Sequence, residues 1–311
     1  MSQPAPFGLD VGRVRTDRLR RFGPLAGLAR RYQRWNWSWR LEIALRYQPI
    51  VEALAGRPHV RRILDVGCGS KGGVTAYLRR PACGVDLTFD LERVRHHPLL
   101  TPLVASGAAL PLAAGTMDAV LCLDVLEHLP PAARRGVLAE MMRVLADDGL
   151  LAVAAPCGAA TRRAEEQLAA EFQQRTGRMH PKLGEHLEHP VLSCEELRLL
   201  VQETAQTRFD RFRLWIAPNT NLRAWRALHR LSDLGRPLPG VTHIHRLLFQ
   251  PIYPLLAQRL HAEPTYRQVV FVAGNETLLT GVTQSPKRRH AERRPALFAG
   301  RSRSTPERLL R

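Results

Sequence analysis

The segment from Asp65 through Gly67 and Gly69 to Gly72 has the residue types and spacing of a cofactor-binding turn. Glycines let a ligand approach the backbone of a strand-to-helix turn, where larger side chains would block it. Asp86 ends the next predicted strand, and a carboxylate there can accept hydrogen bonds from both hydroxyls of a ribose. The glycines also satisfy the dinucleotide pattern GxGxxG. This chemistry therefore suits NAD and S-adenosylmethionine equally well.

Such a turn needs a sheet to position it, and the surrounding sequence supplies one. Short apolar runs alternate with helical stretches between residues 60 and 155, which predicts a parallel, doubly wound sheet. The runs lack strict apolar and polar alternation, as expected when helices cover both faces. The five predicted strands lie in VRRILDV, ACGVDL, LVAS, MDAVLCLDVL and GLLAVAAP.

The second half of the chain predicts further elements. A capping-box pattern favours a helix from about Cys194 to Thr204. Two more strands are predicted over Arg208–Ala217 and Tyr266–Ala273. The five cysteines are scattered and include no CxxC pair, so we expect reduced, mostly structural thiols.

Across residues 60–160 the sequence resembles the class I methyltransferases that use S-adenosylmethionine. Four blocks in the family's order carry the resemblance: ILDVGCGSKGG, CGVDL, ALPLAAGTMDAVLCLDVLEHLP and MMRVLADDGLLAVAAP. NAD enzymes do not usually carry the last two blocks. The resemblance implies a Rossmann-like α/β fold with a seven-stranded, doubly wound sheet of the methyltransferase type.

The same resemblance implies which residues would hold S-adenosylmethionine. The methionine part would lie against the first motif, the ribose against the end of the second strand, and the adenine near the residues after the third strand. Ser106 stands where an Asp often meets the adenine amino group, and a hydroxyl makes a weaker contact there. The predicted cofactor-binding residues are Asp65, Gly67, Cys68, Gly69, Asp86, Ser106 and Asp124.

Candidate catalytic residues come from two separate segments. His128 follows the fourth predicted strand and is a candidate general base. Glu185 and His186 lie in the segment HPKLGEHLEH, which follows the fifth strand and would overhang the cofactor cleft. Such a segment is compatible with a polar surface turn, an acceptor site or a metal site. We expect no metal ion.

The predicted organisation has three parts. Residues 1–57 form a basic N-terminal arm and a helical cap. Residues 58–280 form the methyltransferase domain, with a cofactor-binding core over 60–157 and an acceptor-binding or lid half over 158–280. Residues 281–311 are predicted to be a disordered basic tail.

The net charge of +18 is concentrated at the two ends of the chain. Residues 1–40 and residues 281–311 each carry +7, which leaves +4 for the residues between them. The near-neutral centre argues against a nucleic-acid acceptor, because a phosphate track should line the catalytic face. The basic arms are compatible with a role in solubility or with contact with an anionic surface, either a membrane or a nucleic acid. We expect a cytoplasmic protein that contacts the membrane at most peripherally, because neither a spanning helix nor a signal peptide is evident.

These observations predict methyl transfer from S-adenosylmethionine to a small molecule or to a lipid- or glycan-linked metabolite. Two alternatives remain open. The chain could be a catalytically inactive module that binds the cofactor, or an NAD-linked oxidoreductase. The identity of the acceptor and the oligomeric state do not follow from the sequence.

Overall fold

A computed structural model describes residues 41–95, 97–180, 182–234, 248–249, 252–253, 255–257, 259–261 and 263–274. The predictions of an N-terminal basic arm and of a disordered basic tail fall outside these residues. None of the described helices combines the length and the apolar composition that a bilayer crossing requires.

Seven strands form one sheet, as the motifs predicted. Its order is β3-β2-β1-β4-β5-β7-β6. The first five strands pair in parallel, and β7 runs antiparallel to both β5 and β6. The strands are β1 Ile63–Val66, β2 Ala82–Asp86, β3 Leu100–Val104, β4 Met117–Leu123, β5 Leu145–Pro156, β6 Phe212–Asn221 and β7 Thr265–Gly274.

Eight helices lie among the described residues between 41 and 234 and connect or flank the strands. A single 3₁₀ turn, Leu126–His128, follows β4. The helices are α1 Leu41–Ala55, α2 Thr75–Leu78, α3 Leu91–Val94, α4 Pro131–Val144, α5 Ala159–Thr176, α6 Leu183–Leu187, α7 Cys194–Arg208 and α8 Leu222–Leu234.

Helices cover the sheet on both faces, which explains why the strand sequences do not alternate. Successive side chains of β4 enter two different apolar clusters. Val120 and Cys122 pack in the cluster that includes residues of α4 and α7. Leu121 and Leu123 pack on the opposite face, in the cluster that includes residues of α1. Both faces of the sheet therefore bury apolar side chains against helices. The carboxyl ends of the parallel strands are the edge at which such folds bind ligands.

Three predicted strands have bounds that differ from the expected ones. The fifth, predicted in GLLAVAAP, begins earlier, at Leu145. The third strand, predicted in LVAS, begins earlier and ends at Val104. The sixth, predicted over Arg208–Ala217, runs over Phe212–Asn221, because α7 continues to Arg208. Its pairing with β7 extends to Asn221 opposite Thr265, a long-range contact that local sequence does not reveal.

The prediction that the cysteines are reduced is wrong for one pair. Cys157 and Cys194 form a disulfide, with their Cα atoms 5.2 Å apart. They are separated by 37 residues, and the crossover from β5 to α7 brings them together. Cys68, Cys83 and Cys122 are free thiols.

A capping box closes the N-terminus of α7. The Ser193 hydroxyl accepts a hydrogen bond from the Glu196 amide at 3.0 Å, and the Glu196 carboxylate accepts one from the Ser193 amide at 2.6 Å. Ser193→Ala removes the cap, so we expect the free energy of unfolding to fall by about 1 kcal/mol in urea titrations. Ser193→Thr keeps an accepting hydroxyl and should lose much less. Equal losses in the two variants would contradict the capping role.

Candidate active site

The glycine turn follows β1 directly and has a backbone that only glycine adopts easily. Gly67 and Gly69 have φ angles of 73° and 61°. A Cβ on Gly67 would overlap the side chain of Val125, whereas a Cβ on Gly69 would meet no atom. The Gly67 amide donates to the carbonyl of Val85 at 2.7 Å, which ties the turn to β2. The turn is thus rigid at Gly67 and open above Gly69.

The side chain of Asp65 fixes the position of this turn through hydrogen bonds. Its side chain is buried, and Oδ2 accepts hydrogen bonds from the Val74 amide at 2.6 Å and from the Tyr47 hydroxyl at 3.4 Å. Burial raises the pKa of Asp65 to about 7, although both hydrogen bonds oppose the shift. Asp65 therefore links the turn to α2 and to α1.

Asp86 and Ser106 follow the two neighbouring strands. The Asp86 carboxylate is half-buried and accepts a hydrogen bond from the Gly69 amide at 2.9 Å. The Ser106 hydroxyl is exposed and accepts one from the Ala108 amide at 3.2 Å. Cys68 is part of the same turn, and burial raises the pKa of its thiol. The structure thus places six of the seven predicted cofactor residues at the carboxyl ends of β1, β2 and β3.

The seventh, Asp124, lies at the end of β4 and is engaged by two cations. It has a φ angle of 53°. Its Oδ2 atom lies 2.8 Å from the Arg267 guanidinium and 2.9 Å from that of Arg46. Burial would raise the pKa of Asp124, yet these two charges hold it below its ordinary value. Asp124 therefore joins β4 to α1 and to β7, contacts that the sequence analysis missed.

The three predicted catalytic residues come together beside the end of β4. The rings of His128 and His186 lie edge to face with their centroids 4.8 Å apart. The Glu185 carboxylate lies 3.9 Å from Nδ1 of His128. Burial lowers the pKa of His128, and the neighbouring His186 lowers it further. The turn after β4 and helix α6 therefore contribute to one polar cluster.

Two buried carboxylates of this cluster were not predicted. Glu127 precedes His128 and is 4% exposed; burial and the charge of Asp124 raise its pKa well above the ordinary value. Glu165, on α5, accepts a hydrogen bond from the Tyr266 hydroxyl at 2.6 Å and lies 2.8 Å from Nδ1 of His186. Glu127 was visible in the LEH motif, but its burial was not. No sequence signal pointed to Glu165.

The sheet order, with its antiparallel last strand, and the glycine turn after β1 define the fold of the class I methyltransferases. Residues 64–153 match the family model described as "Methyltransferase domain". These residues thus form a methyltransferase domain of this class, which confirms the resemblance seen in the sequence.

Curated relatives match over part of their length. Probable S-adenosylmethionine-dependent methyltransferases of two Mycobacterium tuberculosis strains are each 35% identical over 117 residues, 36% of this chain and 41% of theirs. The ubiquinone biosynthesis O-methyltransferase of Bordetella avium is 35% identical over 91 residues, 26% of this chain and 37% of that protein. The chain thus spans well under half of the length of these relatives.

A solved structure of an S-adenosylmethionine-dependent methyltransferase from Archaeoglobus fulgidus is 14% identical, with a TM-score of 0.44. The match covers 74% of this chain and 92% of that one.

The raised pKa of Asp65 predicts a pH dependence of stability. The folded pKa of about 7 exceeds the ordinary 3.8, so the folded state retains this proton more strongly than the unfolded state. Ionisation of Asp65 therefore lowers the free energy of unfolding as the pH rises from about 4 to about 7. This loss of unfolding free energy is complete above the pKa of Asp65 in the folded state and absent below its pKa in the unfolded state.

The Asp65→Asn variant cannot ionise and should escape this loss. Its free energy of unfolding relative to the wild type should rise with pH across the window, by at most about 1.4 kcal/mol per pH unit. Urea titrations at several pH values measure the difference. Asp148→Asn, at an exposed position of β5, is the matched control and should show no such trend. A difference for Asp65→Asn that stays constant with pH would contradict the assignment.

Proposed function

We propose that this protein transfers the methyl group of S-adenosylmethionine to an acceptor. The observation that carries the proposal is the pairing of an open glycine turn with the Asp86 carboxylate, 2.9 Å from the Gly69 amide, at the ends of adjacent parallel strands. This pair lies inside the segment that matches the methyltransferase family model. The relatives from Mycobacterium tuberculosis, which match with 35% identity, are described as S-adenosylmethionine-dependent.

The residues present fit the cofactor. Gly69 leaves space above its Cα for a ligand, and Asp86 offers a carboxylate at the edge of that space. In the proposed arrangement the Asp86 carboxylate accepts the hydroxyls of the ribose, the turn from Gly67 to Gly69 receives the methionine part, and Ser106 contacts the adenine. When bound, S-adenosylmethionine supplies a methyl group already activated on a sulfonium.

The chain's own task is then mainly to align the acceptor and exclude water. We assign this task to the half of the domain after β5. Helices α5 and α6 follow that strand, and α6 brings Glu185 and His186 to within contact of His128. We propose that these three side chains line the acceptor site. Asp124 positions them through its ion pairs, and its predicted contact with the cofactor stays a prediction.

A small-molecule acceptor, free or linked to a lipid or glycan, agrees best with these features. The Bordetella avium relative is by its name an O-methyltransferase of ubiquinone biosynthesis. The charge of the chain is concentrated at its ends, and the residues between them carry only +4, which is a small excess of cations for a nucleic-acid acceptor. We therefore propose a hydroxyl-bearing metabolite as the acceptor.

Binding of S-adenosylmethionine by isothermal titration tests the proposal. Asp86→Ala removes a charged hydrogen-bond acceptor, so we expect its affinity to fall by about 10- to 100-fold. Asp148→Ala, which removes an exposed carboxylate from β5, should bind like the wild type.

Titrations with S-adenosylhomocysteine and NAD complete the test. S-adenosylhomocysteine should bind, and NAD should not. Binding of NAD alone would overturn the proposal in favour of an oxidoreductase. Tight cofactor binding without methyl transfer to any hydroxyl-bearing metabolite would favour the inactive-module alternative.

A further inference from the structure

Glu127, His128 and His186 place three metal-ligating groups together at the end of β4. Each residue offers one ligand atom, and these atoms all lie within 4.8 Å of one another. Two of them come from the 3₁₀ turn Leu126–His128 and the third from α6. The sequence spacing did not reveal this set, because it grouped His186 with other residues of the segment HPKLGEHLEH and not with Glu127 and His128.

The buried carboxylate of Glu127 is the feature that most strongly indicates a bound ligand. It is 4% exposed, and neither of its carboxylate oxygens accepts a hydrogen bond from another residue in the described part of the chain. A buried carboxylate without a partner is costly, so buried carboxylates are paired or coordinate metal ions. The guanidinium groups of Arg46 and Arg267 contact Asp124 instead.

His186 is held in the orientation that a metal ligand requires. Its Nδ1 atom lies 2.8 Å from the fully buried Glu165 carboxylate, which also accepts the hydroxyl of Tyr266. A histidine that donates its Nδ1 hydrogen to a carboxylate has the lone pair of Nε2 available for a metal. This carboxylate–histidine arrangement is the usual outer support of metal-bound histidines.

The local charge also favours a dication. Four carboxylates, those of Asp124, Glu127, Glu165 and Glu185, surround the two histidines. The guanidinium groups of Arg46 and Arg267 offset two of these charges, through Asp124. A divalent ion would offset the negative charge that remains beside the two histidines.

We propose that Glu127, His128 and His186 bind a divalent transition metal ion of the zinc type, and that this ion receives the hydroxyl oxygen of the methyl acceptor. Two imidazoles and one carboxylate suit such an ion, and three protein ligands leave a position open for a substrate. His128 is exposed, so solvent reaches one side of the cluster. The inference rests on the proposed methyl transfer and specifies its acceptor site.

The ion would activate the acceptor for the proposed reaction. A metal-bound hydroxyl loses its proton more readily, and the exposed Glu185 carboxylate beside His128 can take that proton and pass it to water. The oxygen then forms a bond to the methyl carbon while the bond from that carbon to sulfur breaks. The electron pair of the broken bond stays on sulfur, so the sulfonium becomes a thioether. No oxidant or reductant is required.

Titration of the full-length protein with ZnCl₂ after dialysis against EDTA tests the site. We expect one equivalent to bind, and we expect Glu127→Gln and His186→Ala each to weaken binding by more than about 100-fold, beyond the loss typical of an outer-shell change. Glu165→Gln should weaken binding by about 10- to 100-fold, because it only orients His186. His189→Ala, three residues after His186 and outside the cluster, should bind like the wild type.

Cobalt provides a second readout, since Co²⁺ in such a site gives visible absorption bands that His186→Ala should lose. Thermal unfolding and titration with S-adenosylmethionine show whether each variant is folded. Failure of the wild type to bind Zn²⁺, or equal binding by His186→Ala in a folded protein, would overturn the metal site. If S-adenosylmethionine still binds in that case, the proposed function stands, whereas loss of its binding to the wild type would overturn the proposed function itself.

Discussion

The buried carboxylate of Asp124 joins the two halves of the candidate active site. It lies at the end of β4 between the guanidinium groups of Arg46 on α1 and Arg267 on β7. The residue after Arg46 is Tyr47, whose hydroxyl donates to Asp65 under the glycine turn. One ion-paired carboxylate thus fixes both the central strand and the helix that supports the cofactor turn.

The Asp124 carboxylate is also connected to the acceptor half of the site, through Arg267 on β7. The residue before Arg267 is Tyr266, whose hydroxyl donates to Glu165, and Glu165 in turn holds His186. Removing one partner of such a buried pair leaves an uncompensated charge, which commonly costs several kcal/mol. The ion pairs therefore place the proposed cofactor and acceptor groups in a fixed relation, although neither arginine is proposed to contact a ligand.

The cofactor half of the site was readable from the sequence because its signals are local. The glycine turn, the strand before it and the acid after the next strand lie within a short stretch, and each has a physical requirement that few residue types meet. Strands β1, β2, β4 and β5 overlap the runs predicted in the same segment, although their bounds differ by up to four residues. Helix α7 was also predictable, because its capping box is a four-residue pattern.

The acceptor half was readable only in part, because its contacts join distant segments. Arg267 meets Asp124 across 143 residues, and Tyr266 meets Glu165 across 101. Periodicity and spacing carry no information on such pairs. His128 and His186 were each suspected, but their proximity, and the burial of Glu127 next to them, required the fold.

A crystal structure of the protein with S-adenosylhomocysteine would test the central claim most directly. We predict that the Asp86 carboxylate lies about 3 Å from the ribose hydroxyls and that the homocysteine part follows the turn from Gly67 to Gly69. An adenosine bound elsewhere, or a ribose that Asp86 does not contact, would contradict it.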